Sequence, residues 1–171
     1  MSLALPRSIA SPDRQGGLLQ AEHFQIAYAT NDIDRACDLF AAQMGISAFR
    51  RLEGELPAGG HIRVELAWVG AVMIELLTAS GPGAAIYMDR LPTQTGFALR
   101  HHHLGYLVND AAQWDALLAK AAQAGFAVPH QNDNAGFLRS CFVDATPLGH
   151  YLEYILPEPA GLAFFRDVPA N

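Results

Sequence analysis

Two stretches, HFQIAYATND at residues 23–32 and HHHLGYLVND at 101–110, are variants of one another. They match at His23/His101, Tyr28/Tyr106, Asn31/Asn109 and Asp32/Asp110, with Ile26 against Leu104, at an offset of 78 (101 − 23). A second pair, MIELL at 73–77 and YLEYI at 151–155, sets Glu75 against Glu153 at the same offset (153 − 75). Two unconnected matches at one spacing mark an internal duplication. The period exceeds the roughly 20–50 residues of solenoid repeats, so the chain holds one duplication and not an array.

Each half opens with a β-rich run and continues into a helical pattern, Ile33 to Met44 and then Ala111 to Ala124. An aspartate stands ahead of each helix as a cap, and Gly45 or Gly125 follows as the residue able to turn left-handed. Beyond the helices, apolar runs predict strands at 48–52, 62–68 and 71–77 in the first half, and at 126–130, 137–143 and 149–156 in the second. Val69 and Gly70 form a tight hairpin. The expectation is an α+β fold of two βαβββ modules, about 22–79 and 100–158, whose cupped mixed sheet carries its helices on the outer face. A Gly- and Pro-bearing linker covers 80–99 and a tail 159–171. Residues 1–20 read as a flexible arm ahead of one domain at 21–171.

Side chains alternate across a strand. Strict alternation puts Phe24, Ile26 and Tyr28 under the helix, with His23, Gln25, Ala27 and Ala29 on the open face. In the second module it puts His102, Leu104 and Tyr106 under the helix and His101, His103 and Gly105 on the open face. Glu75 and Glu153 fall on the open face among apolar neighbours. A carboxylate so placed is costly unless paired or bound to a cation. Gln25, Glu75, His103 and Glu153 therefore form a candidate metal site, whose mixed N/O donors suit one divalent Zn, Ni, Co, Mn or Fe ion. Glu153, and after it Glu75, is the candidate catalytic base. His23 and His101 are candidates for a supporting or substrate-contacting role, and His102 for none. If His23 replaced Gln25 as a ligand, the set would become a two-histidine, one-carboxylate triad suited to Fe(II).

The composition narrows the partners. Eleven basic against seventeen acidic residues leave a net charge of −6, which offers no footprint for nucleic acid or an anionic membrane. No stretch approaches the roughly 18 apolar residues of a membrane span, and Pro6 and Arg7 interrupt any signal-like start, so a cytoplasmic protein with a small-molecule partner is expected. Cys37 and Cys141 read as inert buried thiols. Trp68 and Trp114 read as packing aromatics, Arg63, Arg90, Arg100 and Arg139 as surface groups, and Phe164 and Phe165 as a lid or an anchor.

The run QIAYATNDIDRA from Gln25, IELL around Glu75, HLGYLVND from His103 and LGHYLEY around Glu153 resembles the vicinal oxygen chelate superfamily, which includes glyoxalase I and methylmalonyl-CoA epimerase. The resemblance covers about residues 22–158. It implies one metal held by Gln25, Glu75, His103 and Glu153, a set similar to that of zinc-using glyoxalase I. The implied activity is that of an isomerase or lyase, in which the cation stabilises the enediolate of a small 2-oxo or thioester substrate. A homodimer is implied as well. Glyoxalase chemistry admits a thiol cofactor such as glutathione, for which no residue here speaks. Three alternatives share the resemblance: a metal-free binding protein of the bleomycin-resistance kind, an extradiol-type dioxygenase using His23, and a fosfomycin-resistance thiol transferase, from whose usual ligand set this chain departs.

Overall fold

The computed structural model describes residues 17–93 and 95–171. Eight strands, β1 (Glu22–Thr30), β2 (Arg50–Glu55), β3 (His61–Val69), β4 (Val72–Ser80), β5 (Leu99–Leu107), β6 (His130–Asn134), β7 (Leu138–Ala145) and β8 (His150–Pro157), form one sheet. Its order is β2-β3-β4-β1-β5-β8-β7-β6, so the two modules meet at the antiparallel pair β1/β5. Within each module the first strand runs parallel to the last, β1 with β4 and β5 with β8. The duplication thus appears as a sheet whose halves mirror each other about one seam. Residues 1–16 of the expected arm lie outside the described residues; Leu18 packs on the second module, where the Tyr154 hydroxyl donates to its carbonyl.

Helices α1 (Ile33–Leu39), continued by a π-helical turn at Phe40–Met44, and α3 (Ala111–Gln123) cover the convex face. Asp32 and Asp110 cap them by accepting the backbone N–H of Arg35 and Gln113, and Gly45 ends the first at φ 74°. Ile33, Phe40, Ala67 and Leu76 fill the layer under α1, while Trp114, Leu117, Val143, Leu152 and Tyr154 fill that under α3. Asp110→Ala is expected to cost about 1 kcal/mol, because the first turn of α3 loses its side-chain acceptor. Urea unfolding at constant m-value checks this.

Two short helices lie on the concave side: α2 (Ala85–Met88), inside the expected linker, and α4 (Pro159–Arg166), inside the tail. The Trp68 indole N–H donates to the Phe165 carbonyl at 3.0 Å, and Asn171 accepts from the N–H groups of Ser47 and Ala48, so the tail is tied down. Strand β6 runs from His130 to Asn134 instead of 126–130. Phe126 and Val128 are drawn under α3, which leaves the polar segment after them to pair with β7.

The alternation expected of β1 and β5 fails at one point in each. Phe24 is an extra residue between His23↔Tyr106 and Gln25↔Gly105, and His102 is an extra residue between Ala27↔His103 and Tyr28↔His101. These bulges again stand 78 apart (102 − 24), so the duplication has copied them. A bulge leaves one residue unpaired and re-aims its neighbours. Phe24 accordingly packs on Trp68 and Phe165 inside the cup, and His102 packs on Tyr87, Phe142 and Tyr151. His23 lies against Tyr106, and His101 against Tyr28 and His150, on the convex side. The expected faces of Phe24, His23, His101 and His102 are all reversed.

Candidate metal centre

Gln25, Glu75, His103 and Glu153 sit one on each of the four central strands β1, β4, β5 and β8 and converge within one chain. They are 1%, 8%, 1% and 9% exposed, so all four are removed from bulk water. Donor atoms of Glu75, His103 and Glu153 lie within 4.8 Å of one another, and Nε2 of His103 is 2.9 Å from the Glu153 carboxylate. The Gln25 amide N–H donates to Glu75. That contact fixes the other end of the amide: Oε1 of Gln25 has no hydrogen-bond partner, and Nε2 of His103, close as it is to the Glu153 carboxylate, makes no aligned hydrogen bond. Buried polar atoms seldom stay unpaired. Two orphaned lone-pair donors beside two carboxylates form a donor set that fits a divalent N/O-binding ion. Gly105 makes room for the Gln25 side chain, since a methyl group there would meet Gln25 Oε1 at 2.5 Å.

The electrostatics point the same way. Burial pushes Glu75 up to about 7, and nearby Glu153 adds to this while His103 and Gln25 oppose it. Burial also opposes a charge on His103, but the Glu153 and Glu75 carboxylates outweigh it and raise its pKa. Without a cation the cluster therefore holds protons in its place. The buried Glu65, on the convex face, provides a contrast: Arg51 and Arg63 neutralise it, each at 2.7 Å. No arginine or lysine among the described residues serves Glu75 or Glu153 in that way.

His102, given no role by alternation, orients His103. Its Nε2 faces the Ile86 carbonyl at 3.0 Å, and a carbonyl only accepts, so Nε2 carries the hydrogen. Burial, aided by the neighbouring His103, drops its pKa to about 3, so the ring is neutral and its Nδ1 must accept. The donor is His103 Nδ1–H at 2.8 Å, which leaves Nε2 of a neutral His103 as the lone pair facing the carboxylates. Such supporting contacts commonly contribute 10–100-fold to metal affinity. His102→Phe keeps the ring stacking and removes the acceptor, so affinity for a divalent ion should fall by about 10–100-fold. Competition against a chromophoric chelator reads the change, and His102→Gln, which restores an acceptor, should recover part of it.

Further residues around the cup escaped the sequence reading. Tyr87 comes from α2, and its hydroxyl meets His130 Nε2 at 3.2 Å, at the end of β6. Both line a cavity of about 220 Å³ that opens from Gln25, Glu75 and Glu153 between β2 and β6. Phe165 lines it too, so the tail closes one side, whereas Trp114 packs under α3. Arg63, Arg90 and Arg139 are paired with Asp34, Asp144 and Asp133, and Arg100 donates to a backbone carbonyl. Buried Cys141 and half-buried Cys37 have thiols pushed up by burial to about 12 and 11, which keeps them protonated and unreactive.

Comparison with known proteins bears on the fold and the family. The chain is similar to methylmalonyl-CoA epimerase of Streptomyces coelicolor in complex with 2-nitronate-propionyl-CoA, at 18% identity and a TM-score of 0.59, over 82% of this chain and 96% of that one. It is similar to methylmalonyl-CoA epimerase from Mycobacterium tuberculosis, at 17% identity and a TM-score of 0.58, over 88% and 98%. A hypothetical protein from Bacillus halodurans matches at 15% identity and a TM-score of 0.56, over 80% and 94%. No curated protein sequence matches the chain. The two-module cupped sheet read from the repeat is the fold of these structures, and no helix of the described residues is long and apolar enough to cross a membrane. One family model matches residues 24–143, most of the folded part, and the chain belongs to the Glyoxalase/Bleomycin resistance protein/Dioxygenase superfamily.

Proposed function

We propose that this protein is a metal-dependent isomerase or lyase that removes and returns a proton beside a carbonyl group of a small 2-oxo or thioester substrate. The observation that carries the reading is the pair of orphaned donors, Gln25 Oε1 and His103 Nε2, aimed between two buried carboxylates. A divalent ion held by Gln25, Glu75, His103 and Glu153 would supply Lewis-acid polarisation of the substrate's vicinal oxygens. The chain's own part is proton transfer and exclusion of water. Glu153 is the preferred base: both glutamates border the cavity, but Glu75 is held by the Gln25 amide, while the Glu153 carboxylate contacts only the His103 ring. The apolar cup keeps competing water from the reacting carbon.

Epimerase chemistry on a thioester, as in the similar structures, and glyoxalase chemistry on a 2-oxo compound share this step. The dioxygenase alternative needed His23, which lies exposed on the convex face, and both nitrogens of His102 are engaged. Neither histidine completes a two-histidine, one-carboxylate triad.

The test is exchange of the carbon-bound proton in heavy water. The metal-loaded protein is incubated with methylmalonyl-CoA, with the adduct of methylglyoxal and glutathione, and with simple 2-oxo acids and ketones. Deuterium incorporation into at least one, lost in Glu153→Gln while the metal stays bound, is expected. Exchange that survives in Glu153→Gln would remove Glu153 from the mechanism.

A further inference from the structure

The two edge strands that face each other across the cup have opposite chemistry. On β2 and its partner β3, Leu52, Ile62, Val64 and Leu66 line one wall. On β6 the inward positions are His130, Asn132 and Asn134, paired with the cup-facing Phe142, Ser140 and Leu138 of β7. Period-two alternation puts these three side chains on one face, while Gln131 and Asp133 point out and Asp133 pairs with Arg139. Among the described residues the Asn132 and Asn134 side chains have no hydrogen-bond partner, so their amides are free to bind a ligand. The two copies of the module have thus diverged into an apolar wall and an uncharged polar wall.

The cavity lining also lacks a cation. No arginine or lysine among the described residues lines the cavity, and the carboxylates of β2 alternate away from it, with Glu53 set opposite Arg63 on the convex side. An anionic ligand would shed its water there with no arginine or lysine to offset the loss.

We infer that the cup takes an uncharged, two-faced ligand, with an apolar body against β2 and β3 and a hydroxyl or amide end against Asn132 and Asn134, and that it discriminates against carboxylates. The inference rests on the metal-dependent reading for the ligand's anchored end only. It sets this chain apart from its structural neighbours, since a carboxylated acyl group such as that of methylmalonyl-CoA matches a lining without arginine or lysine poorly.

Three chelating probes test it on the cobalt-loaded full-length protein by calorimetry: benzohydroxamic acid and its para-carbamoyl and para-carboxy derivatives. The carbamoyl compound should bind about 2–10-fold tighter than the parent, the range of one hydrogen bond, and the carboxy compound at least about 10-fold weaker than the carbamoyl. Asn132→Leu should erase the carbamoyl advantage while parent binding, which reports an intact cup, stays unchanged. Equal binding of carboxy and carbamoyl compounds, or a carbamoyl advantage that survives Asn132→Leu, overturns the inference. If the protein takes up no cobalt, the metal reading fails separately. The three compounds are then ranked on the metal-free protein by ligand-observed NMR, where the same order supports the two-walled cup and a flat or inverted order overturns it.

Discussion

Glu75→Ala is expected to lower affinity for a divalent cation by more than about 100-fold, beyond the range attributed to contacts that only support a ligand. The substitution removes a carboxylate from a buried cluster, and it also frees the Gln25 amide, whose N–H donates to Glu75 and thereby holds Oε1 in position. Two of four donors are lost by one change. His103→Ala removes the only nitrogen donor and should act as strongly. Unfolding would not explain the result, because the metal-free Glu75→Ala protein should be at least as stable as the parent at pH 8: it no longer confines two carboxylates within one cluster. Chelator competition and thermal melting on the same samples separate the two effects. Affinity within about threefold of the parent would contradict the ligand assignment.

The second large effect is a stability that depends on pH with an uncommon sign. Burial raises Glu75 from an ordinary 4.5 to about 7, so the folded state favours its protonated form. That contribution is fully present below about pH 4.5 and is lost as pH rises through about 7. His103, also raised, acts in the same direction, since its stabilisation disappears once it deprotonates. For Glu75 alone the linkage amounts to about 3 kcal/mol in full and about 2 kcal/mol between pH 5.5 and 8. In a chain of this size that is roughly 4–8 °C in melting temperature. The metal-free protein should therefore melt lower at pH 8 than at pH 5.5. The metal-loaded protein should show no such fall, because the cation takes the place of the protons and binds more tightly as the ligands deprotonate. Glu75→Gln should flatten the metal-free profile. A flat profile in the unsubstituted protein would mean that Glu75 is not confined as described.

The repeat made the architecture legible, because each copy carries an aspartate cap, a helix, a glycine stop and a glutamate-bearing last strand at the same spacing. The four candidate ligands were legible for the same reason: they occupy equivalent positions on the first and last strands of each copy. What the sequence concealed was the bulge at Phe24 and its copy at His102. Alternation assumes that every residue pairs, and one unpaired residue reverses the faces of its neighbours; apolar Phe24 satisfies either face equally well. His23 consequently fell on the wrong side, and His102, which orients His103, was dismissed. Tyr87 was hidden in a Gly- and Pro-bearing linker, where a four-residue helix leaves no periodic pattern to read. Strand β6 was hidden because HQNDN has little strand propensity and forms only by pairing with β7. Its misplacement by four residues kept the polar wall of the cup out of view.

The account stands most directly on whether the four central strands hold an ion. Protein purified without chelators or a histidine tag, then analysed for metals by plasma mass spectrometry, should contain about one divalent ion per chain, or take up one on reloading. No ion in the purified protein and none after reloading would contradict the metal centre and leave a metal-free binding protein as the better reading of the cup.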